Sequence, residues 1–395
     1  MSMTFLFDRR RSGQILHSKG SLAEPVLVSR TLLPNPTPYS PESTVVFDSI
    51  GNSYFGCHDG YFYSLDKAMQ IRWRFQTGKK IYASPVLVPK LAVICFASGD
   101  GWLYTLDYEG DLVWKAPIGR RSKRIFHTLS SRYHAKRSHT LHEVNRINSA
   151  LAWASPNLTK DNLIIANGYV YGLQAFNAHD GRLMWRHALG NPECHLTGTA
   201  ICQKNTIFAV GQQRHAYRLD SSGKVLWHRS LPRGYNAWGN PSVNEEEDAV
   251  YFPISKREDT GCVVAYSVSG RFLWKHRFPG GIRGSVTISP QGYLLAPAYN
   301  GILRFIDPKN GALMRSLRVA EEHLWTSCST DVDGNIFIGT IDSDDEDTGR
   351  ILCLDPSGAL IWSYATGKAH SVPVLDAQRR LYFGSWKGDF SVLQT

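Results

Sequence analysis

A four-residue step from Gly to Trp recurs along the chain, as Gly110/Trp114, Gly181/Trp185, Gly223/Trp227, Gly270/Trp274 and Gly358/Trp362. Gly311/Arg315 and Gly13/His17 keep the spacing with another last residue, and Met69/Trp73 replaces the Gly. In most copies an Asp stands three to five residues before the Gly position: Asp8, Asp66, Asp107, Asp220, Asp307 and Asp355. The copies are typically 41 to 47 residues apart. Self-similarity at that period means stacked units, each too small to bury its own apolar face. Around each Gly an apolar run, Asp, small polar residues, Gly and a second apolar run ending in Trp read as two strands and a tight turn. Four strands per repeat of this length is the pattern of a β-propeller blade.

The wording of the repeat is more specific than its period. Ser84-Pro85-Val86-Leu87, Ser98-Gly99-Asp100-Gly101, Leu103 to Asp107, Gly110 and Trp114 form one phrase, legible again at 44–73, 155–185 and 327–362. The phrase resembles the pyrroloquinoline-quinone-like propeller repeat over nearly the whole chain. That resemblance implies the fold, while the same repeat serves quinone dehydrogenases, assembly scaffolds and proteins without a cofactor. The family's alcohol dehydrogenases commonly carry a vicinal cysteine disulfide near the quinone and are exported. Here the seven cysteines (57, 95, 194, 202, 262, 328 and 353) include no adjacent pair and no Cys-x-x-Cys. No cofactor is therefore expected, and scattered thiols fit a reducing, cytoplasmic setting.

Seven repeats are complete, ending at 73, 114, 185, 227, 274, 315 and 362. An eighth begins at Ser371 and stops before its Asp–Gly–Trp strand. Phe7-Asp8, Gly13 and His17 fit the missing piece, so residues 1–18 are expected to supply the outer strand and close the ring. Phe5-Leu6-Phe7 competes with 390–393 for the third strand of that blade, which leaves the cut uncertain by one strand. The expected architecture is all-β: a single domain over 1–395, eight four-stranded antiparallel blades, the last closed by the N-terminal strand. No apolar run approaches a membrane span.

Between Trp114 and Trp185 the spacing is 71, so an insertion lies at about 118–150. Residues 120–146 hold eight Lys/Arg against one acid, which is +7 of the chain's net +10. Apolar residues at 125, 126, 129 and 133, then 141, 144 and 147, have helical spacing and predict one or two short amphipathic helices. A dense one-sign patch focuses its field, which makes Arg120, Arg121, Lys123 and Arg124 candidates to hold an anion. A solvated loop is the competing reading. Sparse aromatics argue against nucleic acid, and His134, His139 and His142 make only a weak metal set; no metal is expected. The run 342–347 holds alternating Asp that could bind Ca²⁺ or simply form a solvated acidic loop.

The residue two before the Ser of Ser84-Pro85 is, in successive repeats, Glu42, Tyr82, Trp153, Thr197, Trp238, Arg283, Trp325 and His370. Alternation puts positions two apart on one side of a strand. The first strand of a blade faces the channel, so these side chains should converge at its mouth. Second-to-third-strand loops add His58, Asp59, Asp100, Tyr169, Tyr171, Gln213, Arg214, Lys256, Arg257, Tyr299, Asn300, Trp386 and Lys387 to that face. Asp59 and Asp100 also suit turns, and Cys194-His195 could pair only if adjacent residues faced each other. Indoles plugging the channel, or an Arg–Glu pair across it, would account for the ring without a ligand. Two functional readings stand. One is a scaffold or binding propeller taking an anionic small molecule or acidic protein through Arg283, the Trp residues and Thr197. The other is a cofactor-independent lyase, isomerase or cyclase, with Tyr82, His370 and Glu42 as acid–base groups.

Overall fold

The computed structural model describes residues 8–15, 24–34, 41–119, 152–189, 196–211, 215–342 and 348–395. Among them the chain forms eight antiparallel sheets of four-stranded path, in two of which a further short inner strand pairs beside the first. Numbered in chain order, blade 1 holds Val46–Phe47, Ser53–Gly56, Tyr61–Leu65 and Ile71–Gln76. Blades 2 to 7 follow over 86–117, 157–187, 196–230, 236–279, 287–318 and 323–366. Blade 8 is Val374–Leu375, Arg380–Ser385 and Asp389–Gln394, with Val26–Leu32 as its outer strand. The one helical element among the described residues is a single 3-10 turn, Pro89–Leu91. The helices expected at 118–150 fall almost wholly outside the described residues, as do 343–347 of the acidic run.

The Gly–Trp step has a physical cause that crosses between blades. Each indole lies over the Gly of the next repeat: a Cβ on Gly110 would come 2.7 Å from the Trp73 ring, and Gly181, Gly223, Gly270 and Gly311 meet Trp114, Trp185, Trp227 and Trp274 in the same way. The indole N–H then donates to a carbonyl of that turn. Trp73 reaches Tyr108 O at 3.0 Å, Trp114 Ala178 O at 3.0 Å, Trp185 Ser221 O at 2.8 Å, Trp227 Val268 O at 2.9 Å and Trp274 Pro308 O at 2.8 Å. The preceding Asp builds the turn: Asp107 Oδ1 accepts the N–H groups of Glu109 and Asp111, and Asp220 Oδ1 those of Ser222 and Lys224. A bulge follows in the third-to-fourth-strand pairing of blades 1 to 7, and the positive-φ Gly beside it suits that geometry.

The exceptions obey the same rule. Met69 can replace Gly because the blade behind it offers Thr31 and no indole; Thr31 Oγ1 donates to Met69 O at 2.9 Å. Arg315 stands in for Trp, its guanidinium donating to Ser357 O and lying over Phe305. Trp362 faces blade 8, where no third-to-fourth-strand turn exists, and its Nε1 finds no acceptor among the described residues.

The inner strands are linked by a second belt. Ser84 Oγ accepts Thr44 N–H, Ser155 Oγ accepts Ser84 N–H, Ser285 Oγ accepts Asn240 N–H and Ser327 Oγ accepts Ser285 N–H, all at 2.8–2.9 Å. Buried backbone donors need partners, which is why the repeat keeps a Ser there.

The closure differs from expectation in one respect. An N-terminal strand does complete blade 8, but it is Val26–Leu32, paired with Asp389–Gln394, and not residues 1–18. The third strand is the C-terminal one. Residues 8–15 imitate the Asp–Gly–x pattern for another reason. Asp8 folds back to take Ser12 N–H at 3.1 Å and Ser12 Oγ at 2.9 Å, and Gly13 turns at φ 77° where a Cβ would strike the Thr287 side chain at 2.7 Å. This tight segment crosses the channel as a strap against the inner strands of blades 3 to 7.

Candidate functional site

Seven of the eight side chains in the expected register form an almost continuous chain of contacts around the channel mouth. Glu42 is the hinge of the set. Its two oxygens lie 3.3 Å from His58 Nε2 and 3.3 Å from His370 Nδ1. His58, fully buried at its side chain, packs edge-on against Tyr82 with centroids 4.6 Å apart. His370 stacks on Trp386 at 4.3 Å and leans on Trp325 at 5.3 Å. Arg283 comes next, its guanidinium 4.3 Å from the Trp238 centroid and 4.8 Å from that of Trp325. Trp238 meets Trp153 edge-on at 6.0 Å. The contacts thus run through blades 2, 1, 8, 7, 6, 5 and 3. Thr197 is the second residue of the inner strand of blade 4, Leu196–Ile201, and only its backbone is described.

Exposure follows the register. Glu42, Tyr82, Trp153, Trp238, Arg283, Trp325 and His370 are each half-buried, while the small residues after them, such as Ala83, Ala154 and Gly239, are buried. Small residues at these points let neighbouring inner strands converge. A Cβ on Gly239 would come 2.3 Å from Gly284 O.

Arg283 does have a carboxylate partner, but not the one considered from sequence. It pairs with Glu258, from the second-to-third-strand loop of blade 5, at 3.3 Å, and not with Glu42 across the ring. The Arg283 side chain is 11% exposed against 47% for Glu258, so the cation is held by indole faces and the anion sits at the rim. Stacking of Arg on Trp is favourable and leaves the edge of the guanidinium as its donor surface. Tyr299 stacks on His323 and touches Trp325, and Lys368 lies over Trp386 at 5.1 Å. Loop residues that the sequence assigned to this face therefore extend the ring outward.

Two loop acids are structural. Asp59 accepts Tyr61 N–H and the Tyr63 hydroxyl, and Asp100 accepts Trp102 N–H and the Tyr104 hydroxyl. Burial, followed by these carboxylates, pushes both tyrosines well above the usual phenol range. Cys194-His195, Gln213-Arg214, Arg120, Arg121, Lys123 and Arg124 lie outside the described residues. Among the described residues no group of three or more His, Cys, Asp or Glu is placed to hold a metal ion. The six described cysteines are buried.

Sequence reasoning placed His58 only on a loop of this face, though it completes the Glu42 cluster. It missed Arg11 altogether, because nothing in a run of three arginines marks which one the fold buries.

A family model described as outer membrane protein assembly factor BamB, of the PQQ-like type, matches residues 58–252 and 171–341 in two overlapping stretches. Together they span well over half of the sequence. The chain belongs to this family. The outer membrane protein assembly factor BamB of Xanthomonas campestris pv. campestris is 25% identical over 202 residues, 48% of this chain and 47% of that protein. The aligned part is thus about half the length of that relative. The crystal structure of BamB from Moraxella catarrhalis superposes with a TM-score of 0.67 at 14% identity, covering 94% of this chain and 98% of that one. Quinohemoprotein alcohol dehydrogenase from Comamonas testosteroni gives 0.73 at 12% identity, covering 99% of this chain and 80% of the other. At these identities the structural likenesses speak for the fold alone. No helix among the described residues is long and apolar enough to cross a membrane.

Proposed function

We propose that this protein is a propeller scaffold whose ring holds an anionic ligand or an acidic segment of a protein partner. The observation that carries the reading is Arg283, fixed between Trp238 and Trp325 with its charge countered, among the described residues, only by a rim glutamate. A cation already stacked and desolvated loses little freedom on meeting a carboxylate. Membership of a family described by its role in protein assembly favours a protein segment over a small molecule. Arg120, Arg121, Lys123 and Arg124 belong to the proposal as long-range attraction, and Thr197 as part of the ring. The cytoplasmic placement is also proposal, checked by fractionating cells that make the protein. Buried thiols are inert, so their survival fits more than one compartment.

Fluorescence anisotropy with a labelled oligoglutamate peptide, and its oligoglutamine counterpart, tests the reading. Oligoglutamate should bind tighter, with an affinity that falls as salt rises, and Arg283→Ala should weaken it about 10-fold or more. Equal binding of the two peptides would sink the proposal.

A second reading is supported by a separate observation, the Glu42 carboxylate bridging two imidazoles beside Tyr82. Such a set can take and return a proton without a cofactor, as a lyase, isomerase or cyclase requires. Glu42→Gln, which keeps the shape, should then abolish turnover of an anionic substrate while Arg283 still binds it. Turnover that survives Glu42→Gln removes this reading.

A further inference from the structure

The channel end opposite the ring holds a ligand that the chain supplies itself. An inner strand pairs with its own sheet along one edge and turns the other to the axis, where its N–H groups need partners. Residues 8–15 provide them in blade order. Arg9 O accepts Ile201 N–H at 2.7 Å, Arg10 O accepts Val243 N–H at 3.0 Å, Ser12 O accepts Ile288 N–H at 2.8 Å and Gly13 O accepts Thr330 N–H at 3.0 Å. Ile15 N–H returns to Thr330 O at 2.7 Å, and its side chain is buried. Blade 3 adds Asn157, whose Nδ2 donates to Arg9 O at 3.1 Å. These contacts fall four or five residues beyond the ring register, about 15 Å along an extended strand.

One side chain leaves the strap and enters the channel. Arg11 has φ 58°, which throws its side chain out of line with its neighbours, and it is completely buried. Its Nε donates to Thr199 O at 3.0 Å and its Nη2 to Pro156 O at 3.1 Å and Ser155 O at 3.4 Å. Burial pushes the guanidinium down to about 9, with Asp8 pulling the other way, so it stays charged at neutral pH. Apart from Asn157, every receiving group named here is main chain. Backbone pairing for affinity and one pocketed side chain for selection is the division of labour sheet edges use when they take up a peptide, here one folded into a turn.

We infer that this end of the channel is a binding site for a short, turn-containing peptide with an arginine anchor, occupied in cis by residues 8–15. The site is separate from the ring and does not depend on what the ring binds. Strand Val26–Leu32 fixes the other end of the connection, so the strap is held at high effective concentration. A free peptide of the same pattern, Asp-x-x-Arg-Ser-Gly, gains access when that link is cut or the anchor is removed.

The full chain is made with a protease site within residues 17–22 and cleaved after folding. The probe is a fluorescein-labelled synthetic peptide of residues 8–15, beside a copy carrying Arg11→Ala. The cleaved protein should exchange its own fragment for the labelled peptide and bind the Arg11→Ala copy about 100-fold more weakly. An uncleaved full chain carrying Arg11→Ala should also take up the wild-type peptide, while the uncleaved wild-type chain should not. If neither the cleaved protein nor the Arg11→Ala chain takes up the peptide, or if the two peptides bind equally, the inference is wrong. Should the Arg11→Ala chain fail to fold, the cleaved wild-type protein decides alone.

Discussion

The two ends of the channel are built on opposite principles. At the ring, side chain meets side chain: Glu42 with His58 and His370, Arg283 with two indoles and Glu258. At the strap, backbone meets backbone, and the one charged anchor ends on carbonyl oxygens. Backbone groups are the same in every repeat, so the strap end can be closed by a short segment of any suitable shape. The ring end takes its character from eight positions that differ from blade to blade. One end is therefore suited to holding the molecule shut, and the other to distinguishing what comes to it.

That contrast makes the strap the costlier place to damage. Arg11→Ala removes charged donors from two buried carbonyls and a half-buried one and should lower stability by about 3–5 kcal/mol, read from the denaturant midpoint. A loss below about 1 kcal/mol would mean the strap merely rests on the channel. Gly13→Val forces a β-branched residue into the left-handed region against Thr287 and should cost about 2–4 kcal/mol. The ring should tolerate more. Glu42→Gln keeps the volume but loses charge in both imidazole contacts, for about 1–2 kcal/mol. Alkaline titration is the control, because both ends contain hydroxyls held by acids: Tyr63 and Tyr104 on the ring side, Tyr54 on Asp48 and Tyr382 on Asp376 on the other. Burial comes first and the carboxylates after it in raising all four phenols above their ordinary value of 10. The unfolded chain then ionises first, so stability is complete below pH 10 and declines as the pH rises past it. Absorbance at alkaline pH should show these tyrosines ionising only with unfolding, and early ionisation of any of them would contradict the assigned bonds.

Much of the fold was legible because its cause is local and repeated. A Gly beneath an indole recurs wherever two ordinary blades meet, its turn started by Asp or, before Gly181 and Gly270, by Asn177 and Ser267, and it fails only where Thr31, Arg315 or the missing turn of blade 8 changes the neighbour. The ring register was legible because alternation along a strand is a strong rule. Its energetic pairing was not: Glu258 reaches Arg283 from another blade's loop, and no spacing in the sequence encodes that approach. The strap was misread for a related reason. Asp8 and Gly13 carry the same turn chemistry as the outer-strand repeats, and only the three-dimensional position of the channel edges separates the two uses. The basic run 120–146 lies beyond the described residues, and its part at the ring stays with the proposal.

Closing blade 8 with Val26–Leu32 has a consequence in time. This strand pairs with residues 389–394, and the strap needs the inner strands as far as Thr330. These two segments thus leave the ribosome well before the strands they must pair with. At ~5–20 residues per second the wait is on the order of 20–70 s. Throughout that interval Val26, Val28 and Leu32, still exposed in the finished protein, belong to an unpaired strand able to join another chain. Assembly of this propeller is therefore sensitive to crowding of nascent chains, and slowing synthesis late in the message should prolong the exposure.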